Sequence, residues 1–316
     1  MFLLAETSGH PRDMGLDQGH GLAAAIREKV GRSGLPMRRS RLPSLSAFAS
    51  GPVRGSGAAR ETIRHYPHLA ERIDGLARGA GVPIDSIFAL HAPTTALGTG
   101  DVETRAAVAI AALGLEDSPG VTLARSLPGS ADPGSTVVVR RSRPAVGFES
   151  VDVTLPWLVA SLCGMNEAGL AACFVAGHPD PAMPLRGATP ILLVQESLQR
   201  FESVDASIDW ACSRPIAGWG TLLLADANGS RASVVFSGSE RIATRVTEGP
   251  LVAGHPERIV DALREAAAGE RVLDEKALCP PDDSSYAPAW VRMIPTRRTL
   301  ELRRPIGPRE ELLIQV

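Results

Sequence analysis

The sequence is poor in lysine: only Lys29 and Lys276 are present, and every other basic side chain is arginine. With Ala, Gly and Pro plentiful, that bias reflects a GC-rich genome before it reflects function, so the arginines are weak evidence for any partner. Charge of one sign is also missing, because 33 Lys and Arg against 35 Asp and Glu leave a formal net charge of −2. That balance excludes a global field favouring nucleic acid or an anionic membrane surface. Cysteine is scarce, and Cys163, Cys173, Cys212 and Cys279 lie too far apart for a C-x-x-C pair. A zinc knuckle and a dense disulfide framework are thereby disfavoured, and no metal or other cofactor is expected. No stretch approaches the roughly 20 apolar residues of a membrane span, and no secretory leader is recognisable. The expectation is a reduced, cytoplasmic protein. Its 316 residues, 44% hydrophobic and 22% charged, can bury a sizeable core.

The first hundred residues read as helical with two breaks. Leu22, Ala25, Ile26 and Val30 recur at helical spacing, as do Leu69, Ile73 and Leu76. Residues 31–57, rich in Gly, Pro, Ser and Arg, read as a long surface connection or a lid. A helix is predicted over 62–79, stopped by Gly79-Ala80-Gly81, with a shorter one over 83–91. From Arg105 the texture changes to short apolar runs between turn signals. These predict strands over 108–113, 136–139, 151–155, 170–175, 221–225 and 232–236. Asp226-Ala227-Asn228-Gly229 marks a hairpin, so antiparallel pairing is expected. Helices are predicted over 190–201, 204–213 and 256–268. Helices clustered between runs of strands favour an α+β fold over a parallel doubly wound sheet.

Few motifs carry chemistry by themselves. The glycines from Gly9 to Gly21 match neither a dinucleotide fingerprint nor a P-loop, and no strand is predicted before them. His65 and His68 stand three apart on the predicted helix, but spacing suggests no third metal ligand. No G-x-S-x-G elbow or H-E-x-x-H motif is present. Glu149 and Asp152 flank a strand start and read more readily as solvent-facing carboxylates than as an acid and base pair. Cys163 and Cys173 read as small buried hydrophobes.

Three segments taken together resemble a known family. They are Gly9-His-Pro-Arg-Asp-Met-Gly15-Leu-Asp-Gln-Gly19; Tyr66-Pro-His-Leu-Ala-Glu-Arg-Ile-Asp-Gly75-Leu-Ala-Arg-Gly79-Ala-Gly81 running on to Ala89-Leu90-His91; and Cys163-Gly164-Met165-Asn166-Glu167-Ala168-Gly169-Leu170. In order and spacing they resemble the penicillin acyltransferase-like branch of the N-terminal-nucleophile hydrolases, with weaker similarity at 223–229, Gly254-His255 and 299–308. The resemblance implies a four-layer αββα sandwich forming a single domain over 1–316. Residues 1–104 would correspond to the family's propeptide and 105–316 to its core. It also implies amide hydrolysis or acyl transfer by a self-cleaved N-terminal cysteine, whose own α-amino group serves as base.

The residues at the implied site depart from that pattern. Arg105 stands where the resemblance places the nucleophilic cysteine, and Ser126 and Pro128 stand where asparagine and aspartate are expected. Gly254-His255 replaces an Asn-His pair. A guanidinium stays protonated and has no lone pair to attack an acyl carbon. The leading expectation is therefore a chain that does not process itself. Its pocket would place Arg105, Ser126 and His255 at the old catalytic positions, with Arg125, Glu149, Asn166 and His178 against the ligand. Two rivals remain: an active amide hydrolase using Thr104 or Cys163 as nucleophile, the latter with His178 or His255 as base; and a pseudoenzyme that binds a protein through residues 31–57. The expected partner is a small molecule bearing an anionic, acyl or amide group, with no nucleic acid and no membrane. A homo-oligomer is compatible with the sequence.

Overall fold

The computed structural model describes residues 2–37, 56–91, 108–113, 120–127, 136–177, 187–254, 289–304 and 310–316. The chain opens with strand β1 (Leu3–Gly9), followed by helices α1 (Pro11–Gly21) and α2 (Ala23–Arg32), then α3 (Ser56–His65), α4 (Pro67–Ala80) and α5 (Ile84–Leu90). Strands β2 (Val108–Leu113), β3 (Val121–Leu127), β4 (Val138–Pro144), β5 (Ser150–Thr154), β6 (Cys163–Asn166) and β7 (Ala171–Ala176) come next. Helices α6 (Leu192–Arg200) and α7 (Val204–Ser213) precede β8 (Gly218–Ala225), β9 (Arg231–Gly238), β10 (Glu240–Val246) and β11 (Leu251–Gly254). The last described strands are β12 (Ala289–Ile294), β13 (Thr299–Arg304) and β14 (Glu310–Gln315).

Two sheets stack face to face. One has eight strands in the order β1-β4-β5-β6-β7-β8-β9-β10, the other six in the order β11-β2-β3-β12-β13-β14. Strands β2, β3 and β11 of the smaller sheet lie against β7 and β8 of the larger, while α6 covers β6 and β7, and α7 covers β9 and β10. This is an α+β fold of two stacked sheets and helices, and every strand of β5–β9 and β3 is largely buried. The helix predicted over 256–268 lies outside the described residues.

The hairpin forms as the turn residues dictate. Asp226 accepts from the Asn228, Ser230 and Val204 N–H groups, and Gly229 takes the positive φ of 91° that closes the turn. The helix stop at Gly81 also forms, with α4 ending at Ala80 and Gly81 left-handed.

Three expectations are corrected. The N-terminal segment is not all helix: β1 enters the large sheet parallel to β4, from Leu3↔Val138 to Gly9↔Pro144. A strand therefore does precede the Gly9–Gly21 glycines, and the pairing is not wholly antiparallel. Of these glycines, Gly15 and Gly19 serve helix packing. A Cβ on Gly15 or Gly19 would run into the backbone of α4, and one on Gly75 or Gly79 into the backbone of α1. The third correction concerns the predicted helix over 62–79, which is broken at Tyr66. Pro67 disfavours helical backbone in the residue before it, and Tyr66 sits at φ −134°, ψ 57°. His65 and His68 thus fall on different helices: His65 pairs with Glu61 at 3.3 Å and His68 with Glu196.

Candidate functional site

The chain from Leu155 to Leu162, between β5 and β6, is a loop buried along its whole length. Buried loops are rare because their peptide groups must find partners other than water. Here the partners are side chains from both sheets and the helical segment. Thr154 donates to the Leu158 and Ala160 carbonyls at 3.0 and 2.6 Å. Gln18 of α1 donates to Pro156 and Leu158 at 3.1 and 3.0 Å. Arg125 of β3 donates to the Leu162 carbonyl from the opposite side. The Val159 N–H donates to His91 Nε2 at 3.1 Å.

That last bond fixes the histidine's tautomer. His91 Nδ1–H donates to the Ile87 carbonyl at 2.8 Å, so Nε2 carries the lone pair that receives Val159. Complete burial pushes the imidazole pKa down to about 4, which keeps the ring neutral. Trp157 packs edge-on against it, centroids 5.9 Å apart.

On the helix-covered face of the large sheet, one row across neighbouring strands reads Arg140, Asp152, Gly164. Arg140 and Asp152 are fully buried and paired, Nη2 to Oδ1 at 2.9 Å and Nε to Oδ2 at 3.2 Å. The remaining guanidinium protons reach Gln18 Oε1 at 2.7 Å, Gln195 Oε1 at 2.7 Å and Ser161 Oγ at 3.1 Å. Arg72 of α4 stands close by, 3.4 Å from both Thr7 and Ser142 hydroxyls. Burial, then the neighbouring Arg140, push its pKa well down. Gly164 is obligatory, since a Cβ there would meet Asp152 Cβ at 2.5 Å and Leu198 Cδ1 at 2.8 Å. No local sequence pattern announces this cluster, because its members are far apart in the chain.

The other face of the large sheet is turned towards the smaller sheet. Arg125, buried, points between the sheets beside Cys163, which pairs across the ladder with Cys173. Burial pushes both thiols up to about 12, against the pull of Arg125, so both are protonated at neutral pH. Ser126 is buried on β3 opposite Trp290, pointing to the other face of that sheet from Arg125. Arg125 and Cys163 are therefore brought together, and Ser126 is one residue away with its side chain turned aside.

Asn166 is engaged within the fold. Its amide donates to the Leu198 and Phe201 carbonyls at 2.9 and 2.7 Å, and its oxygen accepts from Leu170 N–H at 2.9 Å. Glu149 is on the surface, 3.6 Å from Arg143 and separate from buried Asp152. Thr104, Arg105, His178 and His255 lie outside the described residues. Among the described residues no three His, Cys, Asp or Glu side chains gather as metal ligands, and no helix is long and apolar enough to cross a membrane.

The fold places the chain among layered α+β proteins with two stacked sheets. No family model matches the sequence, and no curated protein matches it. Solved structures do resemble it. One is penicillin V acylase from Agrobacterium tumefaciens, at 15% identity and TM-score 0.46 over 66% of this chain and 86% of that one. Another is the Caenorhabditis elegans ortholog of N-acylethanolamine-hydrolyzing acid amidase, at 13% identity and TM-score 0.41 over 60% and 93%. A variant of conjugated bile acid hydrolase from Clostridium perfringens shows 10% identity and TM-score 0.44 over 66% and 92%.

Proposed function

We propose that this chain is an N-terminal-nucleophile-hydrolase-like protein that does not cleave itself and holds, at the site the family resemblance implies around Arg105, a small molecule bearing an anionic, acyl or amide group. The observation that carries the reading is the state of the thiol beside Arg125. Cys163 is wholly buried and its pKa is pushed up to about 12, so no thiolate forms at neutral pH to open an acyl-transfer reaction. The sequence supports the same reading, because the position implied for the N-terminal nucleophile is Arg105. A guanidinium there would bind a carboxylate or polarise an acyl oxygen, and any turnover at such a site proceeds by positioning and electrostatic stabilisation without a covalent acyl-enzyme.

The test is the mass of the purified protein under denaturing conditions after prolonged incubation. A single species at 33.2 kDa is the expected result. Two fragments meeting at Thr104 or Arg105 would overturn the reading in favour of an active, self-processed hydrolase. With the chain intact, Arg105→Ala is expected to abolish binding of the small molecule, and retention of that binding assigns the ligand to other residues.

A further inference from the structure

At one end of β1 and β4, on the opposite face of the large sheet from Arg125, lies a pocket of about 380 Å³. Its walls differ in character. Pro11, Pro144 and Val146 form an apolar side, while His10, His68 and Arg200 present cationic or hydrogen-bonding groups. Val146, 80% exposed, sits at the mouth. The turn carrying it is held open by backbone: Ala145 N–H donates to the Gly9 carbonyl at 2.8 Å and Phe148 N–H to the Gln199 carbonyl at 3.0 Å. Gly147 takes φ +105°, and a Cβ there would collide with the Gln199 carbonyl.

The polar side is built as a fixed site. Glu196 on α6 is fully buried. Its Oε1 accepts a hydrogen bond from His68 Nε2, and its Oε2 accepts from Trp210 Nε1 at 3.1 Å and from Arg200 Nη1 at 3.5 Å. Arg200 is held further by stacking on Trp210, its guanidinium carbon 4.2 Å from the ring centroid. With His68 Nε2 committed to Glu196, Nδ1 is the nitrogen left for the pocket, and it has no partner among the described residues. As an imidazolium the ring donates from both nitrogens, one to Glu196 and the other to an acceptor in the pocket.

We infer that this pocket is a binding site for a small carboxylate with an apolar body, the carboxylate bridging His68 and Arg200 and the body lying on Pro11, Pro144 and Val146. The Glu196 carboxylate is already matched by His68 and Arg200, so an incoming anion meets the donors that these two side chains leave unshared. The volume suits a molecule of a few heavy atoms beyond its carboxylate. None of the residues lining the pocket is one on which the proposed function rests.

The experiment is a calorimetric titration of the whole chain with hexanoate, set beside hexylamine and inorganic phosphate, while NMR follows the imidazole resonances. Hexanoate is expected to bind saturably at one site and to shift the His68 ring signals. Hexylamine and phosphate are expected to bind at least about tenfold more weakly, each lacking one half of the recognition. His68→Gln and Arg200→Gln each weaken hexanoate by about tenfold or more. Should either substitution unfold the protein, Val146→Glu decides the matter from the exposed mouth, where an added carboxylate repels the ligand without touching the core. The inference is overturned by any one of four results: no saturable hexanoate binding, hexylamine or phosphate binding as tightly, unmoved His68 signals on saturation, or unchanged affinity in the folded variants.

Discussion

Gly15 of α1 and Gly75 of α4 face each other across a helix crossing that leaves no space for a side chain on either. A Cβ on Gly15 would overlap the Arg72 carbonyl, and one on Gly75 the Arg12 carbonyl, with Gly19 and Gly79 repeating the contact one turn along. Close approach lets the two backbones pack directly, and places Gln18 and Arg72, from the same two helices, over the buried Arg140 and Asp152.

Gly15→Ala and Gly75→Ala are each expected to lower stability by about 2–3 kcal/mol, because rigid backbone cannot yield as a side chain would. Gly21→Ala, on the same helix with open space around it, should be neutral or stabilise by up to about 1 kcal/mol. Urea midpoints of the three variants measure the contrast. Equal effects at Gly15 and Gly21 would show that helix propensity alone is at work.

His91 makes stability depend on acidity. Its folded pKa of about 4 lies below the ordinary value of 6.5, so the unfolded chain takes up a proton that the folded chain refuses. The contribution is complete above pH 6.5 and is lost as the pH falls towards 4, amounting to about 3 kcal/mol over the window. Protonation of Nε2 would also expel the Val159 N–H from its acceptor. Unfolding free energies from pH 7 to pH 4.5 for the parent and for His91→Gln should differ in slope across that range. Parallel curves would remove His91 as the cause.

Native-state alkylation separates the cysteines. Cys212 is exposed and should react with iodoacetamide readily, whereas Cys163 and Cys173 should react only after unfolding. Peptide mass spectrometry of a time course reads this directly. Cys163 labelled as fast as Cys212 would restore it as a candidate nucleophile.

Asn166→Asp keeps the size of the side chain and reverses one end of its chemistry. The amide nitrogen that serves Leu198 and Phe201 becomes a carboxylate oxygen facing two carbonyls. A loss of about 2–4 kcal/mol is expected in thermal or denaturant unfolding, without a change in fold. An unaltered midpoint would mean that the end of α6 is held by other contacts.

Local signals reported local structure well. The β8–β9 hairpin was legible because Asp226, Asn228 and Gly229 act within a few residues of one another, and α7 forms over the expected 204–213, where Ser203 accepts from Ala206 N–H at its start. The strand β1 was hidden because its partner β4 is more than a hundred residues away, and a short half-exposed run beside a helix carries no periodicity of its own. The buried polar cluster was hidden for the same reason. Arg140 meets Gln18 and Gln195, and Glu196 meets His68, across separations that no window of sequence spans. Asn166 was readable as a notable residue, but its hydrogen bonds, not its type, show it holding the end of a helix.

The parallel ladder between β1 and β4 ties the first residues of the chain into the edge of the large sheet through backbone bonds, and the glycine-lined crossing of α1 and α4 adds a second tie. A backbone break anywhere between residues 91 and 108 would therefore yield two fragments that stay locked as a non-covalent heterodimer. Gel filtration or native mass would report an uncut protein in either case, and the helical segment could leave only if the large sheet gave up its edge strand.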